Sequence, residues 1–572
     1  MGTHVGPPQD WVDTGVDYLV IGSGFGGSVM AATLAEKVGK ELKVCLFERG
    51  KAYPPGSFPR TPRELDGGFW DPGSGRRGMF EMWSFDGIDA ITASGLGGGS
   101  LIYANVMLEK PEGWFTQPIP DGTGEETWSF SHEDLAPHYE KVFDVLRVKP
   151  MPTQFVGTES LKTQRFLDAS PDATLAPLAV RFLVGDTPVV GAPLPEESYG
   201  NIHGKVQRTT CQMRGECDVG CNVGAKSSMD HTYLSMADSD GAAICILTEV
   251  RAIRRIEDST GHLFEVGYVV HSEKPDAHHC TTDDELRWIR ARRVVLAAGT
   301  LNTTYLMLSN AAELGMPSDS PVGTRFCGNG DLLGFAMPPL GGRPLLPSAG
   351  PVITAYQQFD DGDHRILLQD GGLPNLGSWN WDWREIKSVM EKLFREWWDR
   401  TTKGSQGLTP ASEDFFEFPR LHWPLPLLGM GVDKPDGRLT LENGKMKCCW
   451  TVDTSRSHFN EVLSQMSVLS ERLSARFCGN PQWQLDRVVT VHPLGGCPTD
   501  TTAEEGVVDS YGRVRSVPGL WIADGSVMPG PIGANPSLTI AAFAHRAAEE
   551  LLKERVIEVG TPSAPEPFTA SD

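Results

Sequence analysis

Asp17-Tyr18-Leu19-Val20-Ile21-Gly22-Ser23-Gly24-Phe25-Gly26-Gly27 decides the fold class. Five residues with strand character run into a Gly-x-Gly-x-x-Gly turn. Small and apolar residues from Ser28 to Val38 follow with helical character. A second strand, Lys43 to Phe47, ends at an acid, Glu48. This is a β-α-β unit of about 30 residues of the dinucleotide-binding kind. Gly22 permits the tight turn, Gly24 admits a pyrophosphate to the backbone, and Gly27 lets helix and strand pack closely. Phe25 and Gly26 open the helix, whose free N–H groups and positive dipole end face the phosphates. Glu48 stands where an acid accepts hydrogen bonds from the adenosine ribose. The motif alone does not separate FAD from NAD.

Working outward, 572 residues are too many for one compact core and predict two or more lobes. The formal charge of −23, from 51 basic and 74 acidic residues, argues against a nucleic-acid partner. No apolar run of the roughly 18 residues needed to span a bilayer is present. Residues 1–15 lack the features of a secretory leader, and the 11 cysteines form an odd set, so reduced thiols in the cytoplasm are expected. Further elements are expected at Glu133–Leu146 (helix), Ala243–Leu247 and Arg293–Ala298 (strands), Trp383–Trp398 (helix) and Pro536–Leu552 (helix). The residues from Thr561 onward read as disordered.

Three further segments are more specific: Ser94-Gly95-Leu96-Gly97-Gly98-Gly99-Ser100-Leu101-Ile102-Tyr103-Ala104-Asn105, His492-Pro493-Leu494-Gly495-Gly496 and Gly533-Ala534-Asn535-Pro536-Ser537. With the first turn they resemble the glucose-methanol-choline (GMC) oxidoreductases, most nearly the bacterial cholesterol oxidases that hold FAD non-covalently. The resemblance runs from about Asp17 to Arg546 and is thin over 346–480. It implies an α/β protein in which a Rossmann-like FAD-binding domain is interleaved with a substrate domain on an antiparallel sheet of about six strands. The expected division is 15–110, 225–345 and 485–555 for FAD, 111–224 and 346–484 for substrate, and 556–572 as a tail.

The resemblance also implies the chemistry: FAD-dependent oxidation of a small-molecule alcohol, with hydride passing to flavin N5 and electrons to oxygen or another acceptor. A lyase or isomerase on the same fold is the alternative, as is a flavin carrier without catalysis. Oxidase and dehydrogenase are not distinguished, and the oligomeric state is open. Gly95, Gly98, Gly99, Ser100, Asn105, Val250, Gly299, Asp524, Gly525, Pro536 and Ser537 join the first turn and Glu48 as expected cofactor contacts. His492 is the expected base, because imidazole titrates near neutral pH. Asn535 is the expected partner of the substrate oxygen, and also a good N-cap before Pro536.

Gln369 aligns with the glutamate that shifts a steroid double bond in cholesterol oxidases. Glutamine cannot take up that proton, and Asp370 could substitute only from the opposite sheet face. Both residues also read as plain sheet and turn positions. Cys211, Cys217 and Cys221 are spaced to bind a metal with an outside ligand, but reduced thiols in a glycine-rich loop are the preferred reading, so no metal is expected. Trp379, Trp381, Trp383, Trp397, Trp398 and Trp423 would suit a bulky apolar or sugar-like ring, or simply form core. His203, His278, His279 and His422 carry no motif.

Overall fold

The computed structural model describes residues 2–61, 64–65, 67–72, 75–120, 124–256, 261–272, 286–339, 341–375, 424–499 and 506–554. The six tryptophans named above, the 383–398 helix, His278, His279, His422, Cys280 and the tail from 556 lie outside the described residues.

Strand Val16–Ile21 leads through the glycine turn into helix Phe25–Val38, and strand Val44–Phe47 lies parallel beside the first strand. The strand order of this eight-stranded sheet is His4–Val5, Ala243–Ile246, Val44–Phe47, Val16–Ile21, Arg287–Leu296, Phe264–Val270, Thr248–Arg255. The first five are parallel and the last two add an antiparallel meander. Leu520–Ile522 pairs in parallel with the C-terminal end of the Arg287–Leu296 strand. Burial is continuous from Tyr18 through Ile21 on one strand and from Val44 through Phe47 on the next. Helices cover the sheet, which explains these unbroken apolar runs. Helix Phe25–Val38 packs on helix Ser537–Leu551 and on Tyr233–Ser239. Buried alanines on the two long helices (Ala31, Ala32 and Ala35; Ala541, Ala544 and Ala548) let the axes approach closely.

Glycines set the distances at the sheet's C-terminal edge. A Cβ on Gly27 would lie 1.9 Å from the Gly22 carbonyl oxygen, and one on Gly26 would lie 1.6 Å from that of Ala523. Gly22 also needs a φ of 101°, which other residues rarely adopt.

The second sheet is antiparallel and has six strands: Thr174–Leu175, Ala355–Asp360, Arg365–Asp370, Leu425–Gly431, Leu332–Met337, Arg476–Gly479. Helix Arg456–Arg472 packs on it through Phe459, Val462, Met466 and Leu469. Strand Leu332–Met337 corrects one expected boundary. It lies within 225–345, expected in the FAD domain, yet hydrogen-bonds between two strands of this sheet. The chain therefore crosses between sheets just before Leu332, not after 345.

Alternation along Arg365–Asp370 sends Asp370 away from Gln369. Its carboxylate accepts from Lys162 Nζ at 2.5 Å, Thr354 N at 2.7 Å and Ala355 N at 2.8 Å. Lys162 and Asp370 are both fully buried. Removing one partner of such a pair leaves a bare buried charge and costs about 3–5 kcal/mol. Lys162→Met should therefore lower the denaturation midpoint sharply, and adding Asp370→Asn should recover most of the loss. A single variant as stable as the wild type would show that this pair carries no charge.

Candidate active site

The first glycine turn, the second glycine turn and Glu48 are joined by one hydroxyl. Ser23 Oγ donates to Glu48 Oε2 at 2.6 Å and accepts from Gly97 N at 2.9 Å. Ser23 is a connecting position of the turn motif, so spacing alone gave no reason to single it out. The other Glu48 oxygen accepts from Gly50 N at 2.8 Å. Thr248 N donates to the Glu48 carbonyl at 2.8 Å, which brings the Val250 segment alongside.

The glycines here divide into two kinds. Gly98 is packed: its Cβ would lie 2.6 Å from Gly24 Cα, so only glycine lets the two turns touch. Gly95 and Gly525 are packed as well, against Leu101 and Thr300. Gly24, Gly99 and Gly299 instead face open space, with no atom within 4 Å of an added Cβ. They surround one region: Gly98 binds the second turn to Gly24, while Gly299 N donates to Asp524 Oδ2 at 2.9 Å beside the Ala523–Gly26 contact. Asn105 is fully buried, and neither polar atom of its side chain has a partner. An orphaned amide of this kind is costly unless a ligand completes it. The cradle of open glycines, the helix N-terminus at Phe25 and the Asn105 amide together have the donor set and clearance that a dinucleotide requires.

Two residues expected as cofactor contacts have side chains already engaged within the chain. The Asp524 carboxylate is occupied by Gly299 N, Thr303 Oγ1, Ser526 N and Ser526 Oγ. Ser100 Oγ donates to the Gly97 carbonyl and accepts from Met229 N, so it braces the turn.

His492 stands on the segment after strand Val488–Thr490, with its side chain 14% exposed. Its Nδ1 lies 2.8 Å from Asp331 Oδ1. Asp331 is buried and also accepts from Val491 N and Thr490 Oγ1, each at 2.9 Å. A carboxylate in this position can accept Nδ1–H and so fix the orientation of the ring. Asn535 is buried and pairs with Gln369: Gln369 Nε2 donates to Asn535 Oδ1 at 2.6 Å. The helix begins one residue later than expected. Pro536 holds the cap position and Asn535 makes no capping bond, because its amide is committed to Gln369.

The loop Cys327-Gly328-Asn329-Gly330-Asp331 holds both groups. Asn329 accepts from Gly533 N at 2.7 Å and donates to the Ala534 carbonyl at 3.0 Å, two residues before Asp331 reaches His492. Sequence reading missed Asn329 and Asp331. The only signal was a Gly-Asn-Gly-Asp turn entering a strand. Asp370, expected as a substrate contact, is corrected: it lies on the opposite face, fully engaged with Lys162 and Thr354.

The cysteine loop is simple. Cys211, Cys217 and Cys221 are free thiols, and burial pushes Cys217 up to about 11 and Cys211 higher still. Among the described residues these sulfurs join no three-ligand cluster.

Beneath the His492 loop, Asp433 accepts from Gly328 N at 3.1 Å, and its Oδ1 is buried without a partner. Burial, reinforced by the Asp331 carboxylate, pushes Asp433 up to about 8. The folded chain therefore holds a proton there that the unfolded chain loses near pH 4. This contribution is full at low pH and declines as pH rises from about 4 to about 8. Asp433→Asn should flatten the fall in melting temperature between about pH 5 and pH 8. Equal slopes in the two proteins would refute the assignment.

Two family models, both described as GMC oxidoreductase, match residues 198–328 and 469–544. A cholesterol oxidase of Acinetobacter baumannii is 25% identical over 95% of this chain and 95% of its own length. Another from Mycobacterium tuberculosis is 27% identical over 93% of this chain and 90% of its own. The fold is similar to the crystal structure of pyridoxine 4-oxidase from Mesorbium loti, with a TM-score of 0.59 at 14% identity, covering 94% of this chain and 100% of that one. Matched family segments that lead up to the Asn329–Asp331 loop and contain the His492 and Asn535 motifs, together with relatives aligned over nearly the whole length, make the chain similar to the GMC oxidoreductases.

Proposed function

We propose that this protein is an FAD-dependent alcohol oxidoreductase whose base is His492 and whose substrate oxygen is held by Asn535. The observation that carries the reading is that both side chains are hung from one loop, His492 through Asp331 and Asn535 through the Asn329 contacts to Gly533 and Ala534. FAD would lie along Gly22, Gly24, Phe25, Gly26 and Gly27, with Glu48 and Val250 at the adenosine end and Asn105, Gly99 and Gly299 nearer the ring. When bound, it supplies the hydride acceptor.

The chain's own residues handle the proton. Asp331 takes His492 Nδ1–H, so Nε2 can receive the proton of the substrate hydroxyl, and the buried carboxylate then stabilises the imidazolium. Gln369 occupies Asn535 Oδ1, which leaves an Nδ2–H to donate to the substrate oxygen and align it. The FAD-binding part comprises 15–110, 225 to the Asp331 loop, and 485–555. The ten described cysteines are all free thiols, in keeping with a cytoplasmic setting. Among the described residues no helix is long and apolar enough to cross a membrane.

The test is anaerobic flavin bleaching across a panel of alcohols. The wild type should bind FAD non-covalently and bleach with its substrate. His492→Ala should keep FAD and bleach about 10²–10⁴-fold more slowly. Gly24→Val should lose FAD, because its side chain would fill the open cradle. Bleaching of His492→Ala at the wild-type rate would remove His492 as the base. A lyase, an isomerase or a flavin carrier would show no substrate-dependent bleaching at all.

Relatives named cholesterol oxidases make a sterol the first bulky substrate to try. Gln369 has no ionisable acceptor, so it can orient Asn535 but cannot shuttle a carbon-bound proton. Offered a 3-hydroxy-5-ene steroid, the wild type should refuse it or release mainly the unconjugated 5-en-3-one. Gln369→Glu should raise the conjugated 4-en-3-one, read by near-ultraviolet absorbance. Prompt conjugated product from the wild type would overturn this role.

A further inference from the structure

Helix His132–Leu146 and helix Ser537–Leu551 pack side by side, and Tyr139 and Thr539 share a hydroxyl contact of 3.1 Å across the seam. Beside it, His138 and His545 face each other with ring centroids 5.1 Å apart. The two Nδ1 atoms are 2.9 Å apart. Glu549, one turn beyond His545 on the same helix face, places Oε1 3.8 Å from His545 Nδ1. All three ligand atoms lie within 4.8 Å of one another.

One proton can bridge the two Nδ1 atoms, and helix spacing sets Glu549 beside His545. A metal ion would engage all three ligand atoms at once. We propose that His138, His545 and Glu549 form a site for a divalent first-row transition ion of the zinc class, cross-linking the two helices. Two imidazole nitrogens and one carboxylate oxygen are a common three-ligand set for such ions. The histidines are mostly buried, which fixes their rotamers, whereas the Glu549 side chain is 50% exposed and leaves an open side for water as a fourth ligand. The rings need only a small outward shift to admit metal–nitrogen bonds of about 2.0–2.1 Å.

A second cluster, His203, Asp230 and His231, is less suited. Asp230 is already engaged by His203 Nε2 at 2.7 Å and by Ser228, and the Lys226 ammonium adds positive charge nearby. The helix that the ion would fasten begins two residues after Asn535, so the site would steady the end of the chain that carries Asn535 without touching substrate.

The test uses the full-length, tag-free flavoprotein, stripped with chelator and desalted, with ZnCl₂ as the calorimetric probe and Co²⁺ as the spectroscopic one. The wild type should take up one zinc equivalent more than His545→Ala and His138→Gln, with micromolar or tighter affinity. Each histidine variant should weaken that equivalent by at least about 100-fold, and Glu549→Gln by about 10-fold. Co²⁺ should give visible d–d bands in the wild type that vanish in the variants. Zinc should raise the wild-type melting temperature and leave that of His545→Ala unchanged. Retained flavin and circular dichroism verify folding. Should one variant misfold, the others decide, since the residues lie on two helices and Glu549 is half exposed. Equal zinc uptake by wild type and variants, or none by the wild type at about 100 μM, overturns the proposal.

Discussion

Everything in the candidate site depends on backbones approaching closer than side chains allow. Gly27 on Gly22 closes the first turn, while Gly26 on the Ala523 carbonyl and Gly98 on Gly24 bring distant stretches of chain to one edge of the parallel strands. A surface built this way presents N–H groups and bare Cα atoms, which suit a flat, polyanionic cofactor better than any set of side chains. The packed glycines could not be replaced without separating the layers. The open ones, Gly24, Gly99 and Gly299, line the space those contacts create.

The antiparallel sheet works by a different rule. Alternation along Arg365–Asp370 gives successive residues opposite duties. Gln369 meets Asn535, while Asp370 is neutralised by Lys162 and held by the backbone of Thr354 and Ala355. A buried ion pair one residue from an amide pair restrains the strand's register, because a slip by one residue would place a carboxylate against Asn535 and leave Lys162 unpaired.

The loop from Cys327 to Asp331 links the two parts. It leaves the region of the eight-stranded sheet, supplies Asn329 to the Gly533–Ala534 turn and Asp331 to His492, and becomes a strand of the second sheet. The His492 imidazole and the Asn535 amide therefore share one anchor, and movement of the loop would displace both together.

The β-α-β unit, its glycine turn and Glu48 were legible because their geometry is local. A turn, a helix start and a strand end are set by residues within about 30 positions, and each has its own spacing. The helices His132–Leu146 and Ser537–Leu551 were legible to within one residue at each end, because their residue pattern is also local, although the cap expected at Asn535 was not formed. His492 and Asn535 were reached only by family resemblance. Their partners could not be read at all, since Asp331 lies 161 residues from His492 and Gln369 lies 166 from Asn535. The same holds for Ser23 between two glycine turns, for strand Leu332–Met337 and for His138 opposite His545, 407 residues away. Sequence by itself determined the local units, namely the β-α-β turn and the two long helices. Tertiary structure alone decided which side chains meet, because burial forces each polar group to find a partner wherever the packing places one.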